Sequence, residues 1–382
     1  YTTLFRSDVR FPELMNPRTL GTLEKMHEWM LEITGPDGRM PAFGDTGAGS
    51  HLRFFRRGAT VFERDDLAWP LDRLAPELLP PGIEPRRPEH ESVSLASQFT
   101  VLRDGWEPDD FFMAIDHGPL GGQHSHIDTL GFVAHAHGWP LALDSGIGTS
   151  YEDPRYEDWF RKLRAHNVVA IDDLEPDTIA ELIDWKPGTE RDEVRMLSRA
   201  YERPLGILWE RRIMFLKGLG WLIRDIVTTP ESDDLANHQV EWVLHTPFDL
   251  QPQAPGELQG SAADLPFSSS EGDGGLLVLA GRPEELQPPE LAERPASVPP
   301  PETLPVRPWD ASRVRRSEMT REITMLTWRK KPVSGRTCEF ATFLLPYRGS
   351  RPEAGLTRTA SGTDPSDSGW ALRLNGNTHK LE

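Results

Sequence analysis

Cysteine is almost absent from this chain of 382 residues, in which Cys338 is the single example. One cysteine excludes internal disulfide bonds and any zinc site built from several thiolates. The sequence also lacks an apolar run of the roughly 18 residues that a membrane-spanning helix needs, so we expect no insertion into a membrane. Its first residues contain neither a methionine nor a signal-peptide pattern, and we therefore expect a fragment or a processed form.

Basic residues are scarce relative to acidic ones, with 42 lysines and arginines against 60 aspartates and glutamates. The formal net charge of −18 argues against nucleic-acid partners, because no basic stripe is available to neutralise phosphates. A polyanionic ligand would be repelled at long range, so a site for an acidic sugar must be locally basic. The segment from Arg155 to Arg164 holds four cations, although acidic residues alternate with them.

Turn-forming residues, by contrast, are abundant: the chain has 32 glycines and 35 prolines. That composition favours short strands and long loops over a helical bundle. We expect most of the 12 tryptophans in the core, although an exposed tryptophan is also a good platform for stacking on a sugar ring.

One helix is predicted near the start of the chain. Asn16 and Pro17 form a favourable N-cap and first helical position, and apolar residues then recur every three or four positions up to Ile33. The turn-forming residues 35–38 end the helix. Residues 51–92 are mixed in pattern and rich in proline, and we interpret them as the connection to a second domain.

Short strand-like segments begin near residue 93, where the second predicted domain (93–382) follows the first (1–92). Their apolar residues are mostly β-branched, aromatic or leucine, and turn residues separate them. The clearest segments are 99–103, 111–115, 168–171, 213–216, 240–244, 276–279, 322–326 and 340–345. Such a series predicts an antiparallel β-sandwich. We expect a long exposed excursion at the proline-rich residues 284–308 and a polar, weakly patterned tail from Gly349 onward.

A histidine pair, His124 and His126, is the most suggestive local pattern. On a strand, residues two apart point to the same face, so both imidazoles would be presented together to a metal or a ligand. Zinc in proteins is held by histidine and carboxylate groups, among others. A hairpin over residues 130–143 would return Asp144 to His126, and His166 could add a third nitrogen. Judged on spacing alone, two ordinary hydrogen-bonded histidines explain the pair equally well.

Two other polar features have plainer explanations. His135 and His137 repeat the same spacing but lie at the predicted hairpin tip, so we interpret them as an exposed turn. Asp45 follows the predicted helix in a loop and could hydrogen-bond a sugar, although turn formation is the commoner role of such an aspartate.

Several motifs occur in an order that is more specific than any one of them alone. They are Pro36-Asp37-Gly38-Arg39-Met40-Pro41 with Gly44-Asp45, Gly121-Gly122-Gln123-His124-Ser125-His126-Ile127-Asp128, Asp144-Ser145-Gly146 with Tyr151, and Arg164-Ala165-His166-Asn167-Val168-Val169. In this order they resemble the heparinase II/III-like family, which includes lyases of heparin, heparan sulfate, alginate oligomers and other uronate polymers. The resemblance implies an α+β fold, the remnant of an (α/α) toroid followed by a large antiparallel β-sandwich.

The resemblance also implies roles for the histidine motif. Its first histidine, His124, acts in catalysis. Its second, His126, binds a single structural zinc ion together with the aspartate Asp144. His166 is our choice for the third zinc ligand.

Other residues are assigned on the same resemblance. Asp45, Gln123 and Arg164 are candidates for substrate binding. The family's catalytic tyrosine falls a few helical turns before the segment that ends in Pro-Asp-Gly, and Tyr1 lies near that place. The family also uses an Asn–His pair on the toroid to neutralise the substrate carboxylate. No such pair precedes residue 50, so we expect it upstream of Tyr1.

The implied activity is β-elimination on a polysaccharide or oligosaccharide that contains uronic acid. Two alternatives stay open: a non-catalytic carbohydrate-binding or scaffold module, and a uronate C5-epimerase, which shares the abstraction of the C5 proton. The family habit further implies a periplasmic or secreted protein, an acidic polysaccharide as partner, and possible assembly as a homodimer.

Overall fold

The computed structural model describes residues 16–47, 49–95, 98–119, 121–177, 179–265, 273–298, 320–332, 334–359 and 369–381. The candidate Tyr1 lies outside this part of the chain. The α-helices of the described residues are α1 (Pro17–Ile33), α2 (Leu52–Phe62), α3 (Trp69–Leu74) and α4 (Glu202–Leu205). None of these described helices is long and apolar enough to cross a membrane.

Helix α1 begins where the sequence predicts. The Asn16 side chain accepts hydrogen bonds from the backbone N–H groups of Arg18 and Thr19, each at 3.1 Å, and Pro17 occupies the first helical position. These contacts satisfy donors that the helix itself leaves unpaired. The predicted helix and its N-cap are therefore confirmed.

A buried arginine fixes the other end of α1 to the first sheet. The Arg103 guanidinium donates to the backbone oxygens of Glu32 at 2.5 Å and Thr34 at 3.3 Å, and it lies 3.8 Å from the ring centroid of Trp106. Burial lowers the pKa of Arg103 to about 10. Because carbonyls in the last turn of a helix lack partners within it, this contact both caps α1 and joins it to the strand that ends at Arg103.

The interpretation of residues 51–92 as a plain connection is wrong for its first half. Helices α2 and α3 lie there and pack with α1 around Leu31, Phe55, Leu67 and Leu71. Apolar residues at helical spacing along α2 are the signal that was missed, because three arginines and a glycine interrupt them. The division of the chain into two domains at residue 92 stays a prediction.

Two helical glycines lead to opposite predictions for stability. A Cβ at Gly58 in α2 would lie 2.5 Å from the His27 side chain and 2.7 Å from Leu67, whereas nothing lies within 4 Å of a Cβ at Gly21 in α1. We expect Gly58→Ala to lower the free energy of unfolding by about 1–3 kcal/mol through overpacking. Gly21→Ala should raise it by up to about 1 kcal/mol, because alanine has the higher helix propensity. Urea unfolding measures both, and shifts of the same sign would contradict the prediction.

Antiparallel strands form most of the rest of the described chain, in four sheets. The first sheet is a meander of β1 (Val93–Leu95), β2 (Phe99–Arg103), β3 (Phe112–Asp116), β4 (Phe132–Ala136) and β5 (Trp139–Ala142). The later strands are β6 (Val169–Ile171), β7 (Ala180–Lys186), β8 (Arg191–Ser198), β9 (Leu208–Leu216), β10 (Gly220–Thr228), β11 (Val240–Thr246), β12 (Gln251–Ala254), β13 (Glu257–Ser261), β14 (Gly274–Ala280), β15 (Glu290–Ser297), β16 (Thr320–Arg329), β17 (Thr337–Arg348), β18 (Ala354–Arg358), β19 (Trp370–Leu374) and β20 (Asn377–Lys380).

The later strands are divided among three sheets. Eight strands lie in the order β12-β13-β14-β17-β10-β9-β8-β7, four in the order β15-β16-β11-β6, and three in the order β18-β19-β20. The predicted class, largely antiparallel β structure with few helices, is confirmed for the described residues. The strands β7 and β8 were not predicted, because charged residues dominate their exposed positions.

The main hydrophobic core is shared by the eight-, five- and four-stranded sheets. Alternation along β9 and β10 sends Ile213 and Ile223 into this core, while Met214 and Leu222 join a smaller cluster on the other face. The tryptophans that are fully buried are Trp139, Trp209, Trp221, Trp242, Trp328 and Trp370. The expectation that most tryptophans serve the core holds for these six.

The proline-rich residues 284–308 do not form a single exposed excursion. Residues Glu290–Ser297 are strand β15, which pairs with β16 along its whole length. The prediction is therefore wrong for that segment. Residues 299–319 lie outside the described part of the chain.

The tail after Gly349 is more ordered than its pattern indicates. Strands β18 to β20 form a small sheet, and Leu356, Trp370 and Leu372 pack in one cluster with Leu222 of β10. The weak pattern of this segment did not predict these strands. Each strand has only four or five residues, which is too short for alternation to be recognised in the sequence.

Candidate functional site

Three loops meet and bring the candidate residues together. They are residues 40–47 after α1, residues 121–131 between β3 and β4, and residues 143–168 between β5 and β6. The Asp45 N–H donates to the His124 carbonyl at 3.1 Å, and the Ile147 N–H donates to the Thr46 carbonyl at 3.3 Å. The loop from the helical region is thereby held against both loops of the first sheet.

Glycine is required at position 44 for the loop 40–47 to lie this close to the loop 121–131. Gly44 has a φ of +54°, and a Cβ added there would lie 2.7 Å from the His124 carbonyl oxygen. A larger residue would be strained in this conformation and would push the loops apart. The Gly44-Asp45 motif therefore has a structural basis, because the glycine permits the contact that places Asp45 beside the histidines.

Asp45 is the centre of a hydrogen-bonded cluster. Its Oδ2 lies 2.6 Å from His124 Nδ1, and its Oδ1 lies 3.0 Å from His126 Nε2. The Tyr156 hydroxyl donates to the same Oδ1 at 2.7 Å. The Asp45 side chain is only 7% exposed, and its carboxylate oxygens are hydrogen-bonded to protein groups. Its predicted contact with a substrate stays a prediction.

These hydrogen bonds keep Asp45 ionised. Burial alone would raise the pKa of the Asp45 carboxyl, but hydrogen bonds from Tyr156, His124 and His126 outweigh burial and lower that pKa. Burial lowers the pKa of His126 to about 4, so this imidazole is neutral at neutral pH. When its Nε2 proton is donated to Asp45, His126 keeps an unshared electron pair on Nδ1.

The prediction that His124 and His126 share one face of a strand is wrong. Residues 121–131 form turns and bends rather than a strand. The His124 side chain is 75% exposed, whereas the His126 side chain is 0% exposed. The loop thus sends one imidazole to the surface and one to the interior, with Asp45 between them. The roles of the two histidines stay predictions.

Two tyrosines of the loop 143–168, the exposed Tyr151 and the buried Tyr156, complete the site. Tyr151 Oη lies 3.2 Å from His124 Nδ1, and the rings of Tyr151 and Tyr156 meet edge to face with their centroids 5.3 Å apart. Sequence reasoning did not find Tyr156. Nothing in its local pattern marks it, and its contact with Asp45 joins residues 111 positions apart.

A buried group of titratable residues lies behind this cluster. His166 Nδ1 and Asp144 Oδ2 are 2.7 Å apart, and both side chains are 0% exposed. The ring centroids of His126 and His166 are 5.4 Å apart. The hairpin of β4 and β5 does return Asp144 to His126, as predicted, since the Asp144 carboxylate acts electrostatically on that imidazole.

The nitrogens of this group suit a metal ion. His126 Nδ1 and His166 Nε2 are buried and have no hydrogen-bond partner among the described residues. In each imidazole the other nitrogen is hydrogen-bonded to a carboxylate, the arrangement usual for metal-ligating histidines. No three His, Cys, Asp or Glu side chains of the described chain stand as a ready set of ligands. The zinc assignment of His126, Asp144 and His166 stays a prediction.

Gln123 and Arg164 lie in different surroundings. Gln123 is exposed next to His124. The Arg164 guanidinium is paired with Asp173 at 2.5 Å and with the buried Glu241 of β11, and neither partner belongs to the Asp45 cluster. Their predicted contacts with substrate stay predictions.

Arg161 is a cation in direct contact with the histidine motif. Its guanidinium donates to the Ser125 carbonyl at 3.3 Å and pairs with Glu157 at 3.2 Å. One basic group of the segment 155–164 is therefore anchored directly on the motif. The carboxylate of Glu157 offsets the charge of this anchored arginine.

The second histidine pair is not simply an exposed turn. His135 is buried in β4, whereas His137 lies at the hairpin tip with a φ of +57°. The prediction is wrong for His135, because the strand extends one residue beyond it before the chain turns.

A comparison with protein-family models adds to this geometry. The model described as heparinase II/III-like, C-terminal, matches residues 86–286, which is just over half of the chain. The chain belongs to the heparinase II/III-like family. The resemblance inferred from the ordered motifs is thus confirmed. Among curated proteins, none matches the chain.

Solved structures share the fold of this heparinase II/III-like chain. The heparan sulfate lyase HepC from Pedobacter heparinus matches over 98% of this chain and 55% of its own, with 18% identity and a TM-score of 0.76. A heparinase III gene product with methylated lysines matches over 98% of this chain and 54% of its own, with 18% identity and a TM-score of 0.76. A further heparinase III matches over 96% of this chain and 55% of its own, with 16% identity and a TM-score of 0.72. The chain therefore spans about half the length of these proteins.

Proposed function

We propose that this protein is a polysaccharide lyase that cleaves a polysaccharide or oligosaccharide containing uronic acid by β-elimination. Membership of the heparinase II/III-like family supports lyase chemistry at the level of the family. The observation that carries the proposal is the exposed imidazole of His124, held at Nδ1 by the nearly buried carboxylate of Asp45.

β-Elimination on a uronate requires two proton transfers. A base takes the C5 proton, and the electron pair of that C–H bond forms the C4–C5 double bond. The C4–O4 bond then breaks, and the departing oxygen takes a proton. Because the C5 proton is weakly acidic, hydrogen-bond donors or cations must stabilise the charge that develops on the carboxylate.

His124 is placed for the first of these transfers. When Nδ1–H is donated to Asp45, the imidazole keeps the Nε2 electron pair for a proton from the substrate. Histidine performs such a transfer efficiently near neutral pH. We assign His124 as the acceptor of the C5 proton, and we assign Tyr151 and Gln123, which are exposed beside it, to sugar binding.

Asp45 acts in this proposal through His124. Its side chain is 7% exposed, and its oxygens face two histidines and Tyr156. We therefore assign it as a positioning residue that fixes the tautomer and direction of the His124 ring. A direct contact of Asp45 with the sugar is not needed for this role.

A zinc ion held by His126, Asp144 and His166 belongs to the same proposal. When bound, it supplies cohesion between the loop 121–131 and the loop 143–168. The buried, unpartnered nitrogens His126 Nδ1 and His166 Nε2 support it. No proton transfer is assigned to the ion, because these donors are buried away from the exposed ring of His124.

Three broader assignments are part of the proposal as well. Helices α1 to α3 represent part of an (α/α) toroid that precedes the sheets, and similar structures that extend over 98% of this chain support this assignment. Export to the periplasm or beyond the cell suits a protein that meets polymeric substrates. Assembly as a homodimer stays a prediction.

An assay of the full product of the gene tests the lyase proposal. Heparin, heparan sulfate and alginate are each incubated with the protein, and the ultraviolet absorbance of the new conjugated C4–C5 double bond is followed. Absence of this signal on every uronate polymer contradicts the lyase. Binding without cleavage would favour a carbohydrate-binding module, and deuterium uptake at C5 without cleavage would favour an epimerase.

Zinc content tests the metal site independently of turnover. We expect the wild-type protein to hold one zinc ion per chain and His126→Ala to lose it, because the variant lacks a buried nitrogen ligand. Elemental analysis after dialysis measures both proteins. A His126→Ala protein that keeps stoichiometric zinc would refute the site.

A further inference from the structure

His245 on β11 is a buried histidine that the roles above leave unexplained. Its side chain is 0% exposed, and neither Nδ1 nor Nε2 has a hydrogen-bond partner among the described residues. A neutral imidazole carries one donor and one acceptor, and leaving both unpaired in the interior is costly. Hydrogen bonds to the described protein therefore do not account for a histidine at this position.

The pairing of β6 with β11 brings His245 near the segment that contains His166. Strands β6 and β11 pair so that Val169 is opposite Trp242, and the Val243 N–H continues the ladder by donating to the Val168 carbonyl at 2.9 Å. Beyond Val168 this ladder ends, and the His245 N–H donates instead to the side chain of Asn167, the residue that follows His166.

Asn167 fixes this arrangement. Its amide donates to the Leu143 carbonyl at 2.9 Å, and its Oδ1 accepts from the His245 N–H at 2.6 Å. The Leu143 N–H in turn donates to the His245 carbonyl at 3.0 Å. The residue before Asp144, the residue after His166 and His245 itself are thereby tied together.

The His245 side chain faces the buried polar group rather than the apolar core. Trp242 and Leu244 on the same strand belong to the main core, so alternation sends His245 to the other face of the sheet. On that face His166, Asp144 and Arg294 are close enough to act electrostatically on its imidazole, and the Trp159 ring meets it edge to face with the centroids 5.9 Å apart. His245 is thus the third buried imidazole with an unpartnered nitrogen around Asp144, after His126 and His166.

We propose that His245 supplies a fourth protein donor to the ion held by His126, Asp144 and His166. This inference rests on the metal site proposed above. Structural zinc sites are closed by four protein ligands, whereas sites with three protein ligands keep a position for water. With His245 as fourth donor the ion is enclosed by the protein and serves the structure alone.

Zinc affinity of the full gene product tests the role of His245. Each variant is stripped of metal and titrated with zinc against a chromophoric chelator. We expect His245→Ala and His245→Gln to bind zinc at least about 10-fold more weakly than the wild type. His27→Gln is the matched control, because His27 is equally buried but lies in α1 among helical residues, and its zinc affinity should equal that of the wild type.

Cobalt substitution gives a readout that a merely structural role would not change. The visible absorption of bound Co²⁺ responds to the number and kind of its ligands, so His245→Gln should alter the spectrum. Wild-type affinity and spectrum in His245→Gln overturn the role of His245 and leave a three-ligand site standing. A wild-type protein that binds no zinc overturns the metal site together with this inference. His245→Gln decides the question where His245→Ala does not fold, because glutamine keeps a polar side chain of similar length.

Discussion

His124→Ala is expected to lower kcat/KM on a uronate polymer by roughly 10²–10⁴-fold, the contribution typical of a general acid–base group. The free energy of unfolding should hardly change, because the His124 side chain is 75% exposed. The loss should appear mainly in kcat, since the proton transfer is removed while Gln123 and Tyr151 still contact the sugar. Initial rates from the ultraviolet absorbance of the product measure the effect.

Two further variants separate the chemistry from the fold. His379→Ala replaces an exposed histidine on β20 and should retain full activity. Asp45→Asn should lower kcat more than it changes KM and should also shift the pH profile of kcat, because the ring of His124 loses its ionised partner. A His124→Ala protein with more than half of the wild-type kcat would remove His124 from the mechanism.

Asp225→Ala is expected to lower the free energy of unfolding by about 3–5 kcal/mol, the usual effect of breaking a buried ion pair. Asp225 and Arg211 are both 0% exposed, with Oδ1 at 2.7 Å from Nε and Oδ2 at 3.0 Å from Nη2. The indole N–H groups of Trp209 and Trp242 donate to the same carboxylate at 2.7 and 2.9 Å. Removing the carboxylate therefore leaves one buried cation and two buried donors unpaired.

An exposed ion pair provides the control for this prediction. Glu181 and Arg199 pair at 3.0 Å, with side chains 50% and 41% exposed, and Glu181→Ala should cost no more than about 1 kcal/mol. Urea unfolding followed by tryptophan fluorescence compares both variants with the wild type. If the free energy of unfolding of Asp225→Ala lies within about 1 kcal/mol of the wild-type value, and the two proteins have about the same denaturant sensitivity, the predicted contribution of this ion pair to stability is wrong.

The Arg211–Asp225 pair also links the core to the site. The other guanidinium nitrogen of Arg211 donates to the carbonyls of Leu130 and Asn167. Leu130 follows the histidine loop and Asn167 follows His166, so the pair holds the chain on both sides of the proposed metal group. The Asp225→Ala substitution is therefore expected to weaken zinc binding as well as to lower the free energy of unfolding.

Local structure was predictable where it depends on near neighbours. The N-cap of α1 needs only Asn16 and the next three residues, and the buried strands β10, β11 and β17 are marked by their own apolar runs. Helices α2 and α3 and strands β7 and β8 escaped prediction. Their apolar residues are few, and they become stable through packing against other elements.

The residues of the candidate site could be identified from the sequence, but their arrangement in space could not. The ordered motifs placed His124, His126, Asp144 and His166 in one family pattern, and the match over residues 86–286 confirms the resemblance to the family. The assumption that His124 and His126 lie on a strand was wrong, because the glycine-rich loop before them carries no apolar alternation. The conformation of this loop leaves the His124 side chain exposed and the His126 side chain buried.

The sequence by itself determined that an acidic, nearly cysteine-free chain forms antiparallel strands after a short helical region, and that it carries the heparinase II/III-like motifs. Each of these features depends on composition or on residues close together in the chain. Only the tertiary structure decided that Asp45 meets His124 across 79 positions and that His245 lies with Asp144 and His166. Such contacts depend on how loops pack over sheets, because only packing brings side chains from distant parts of the chain close together.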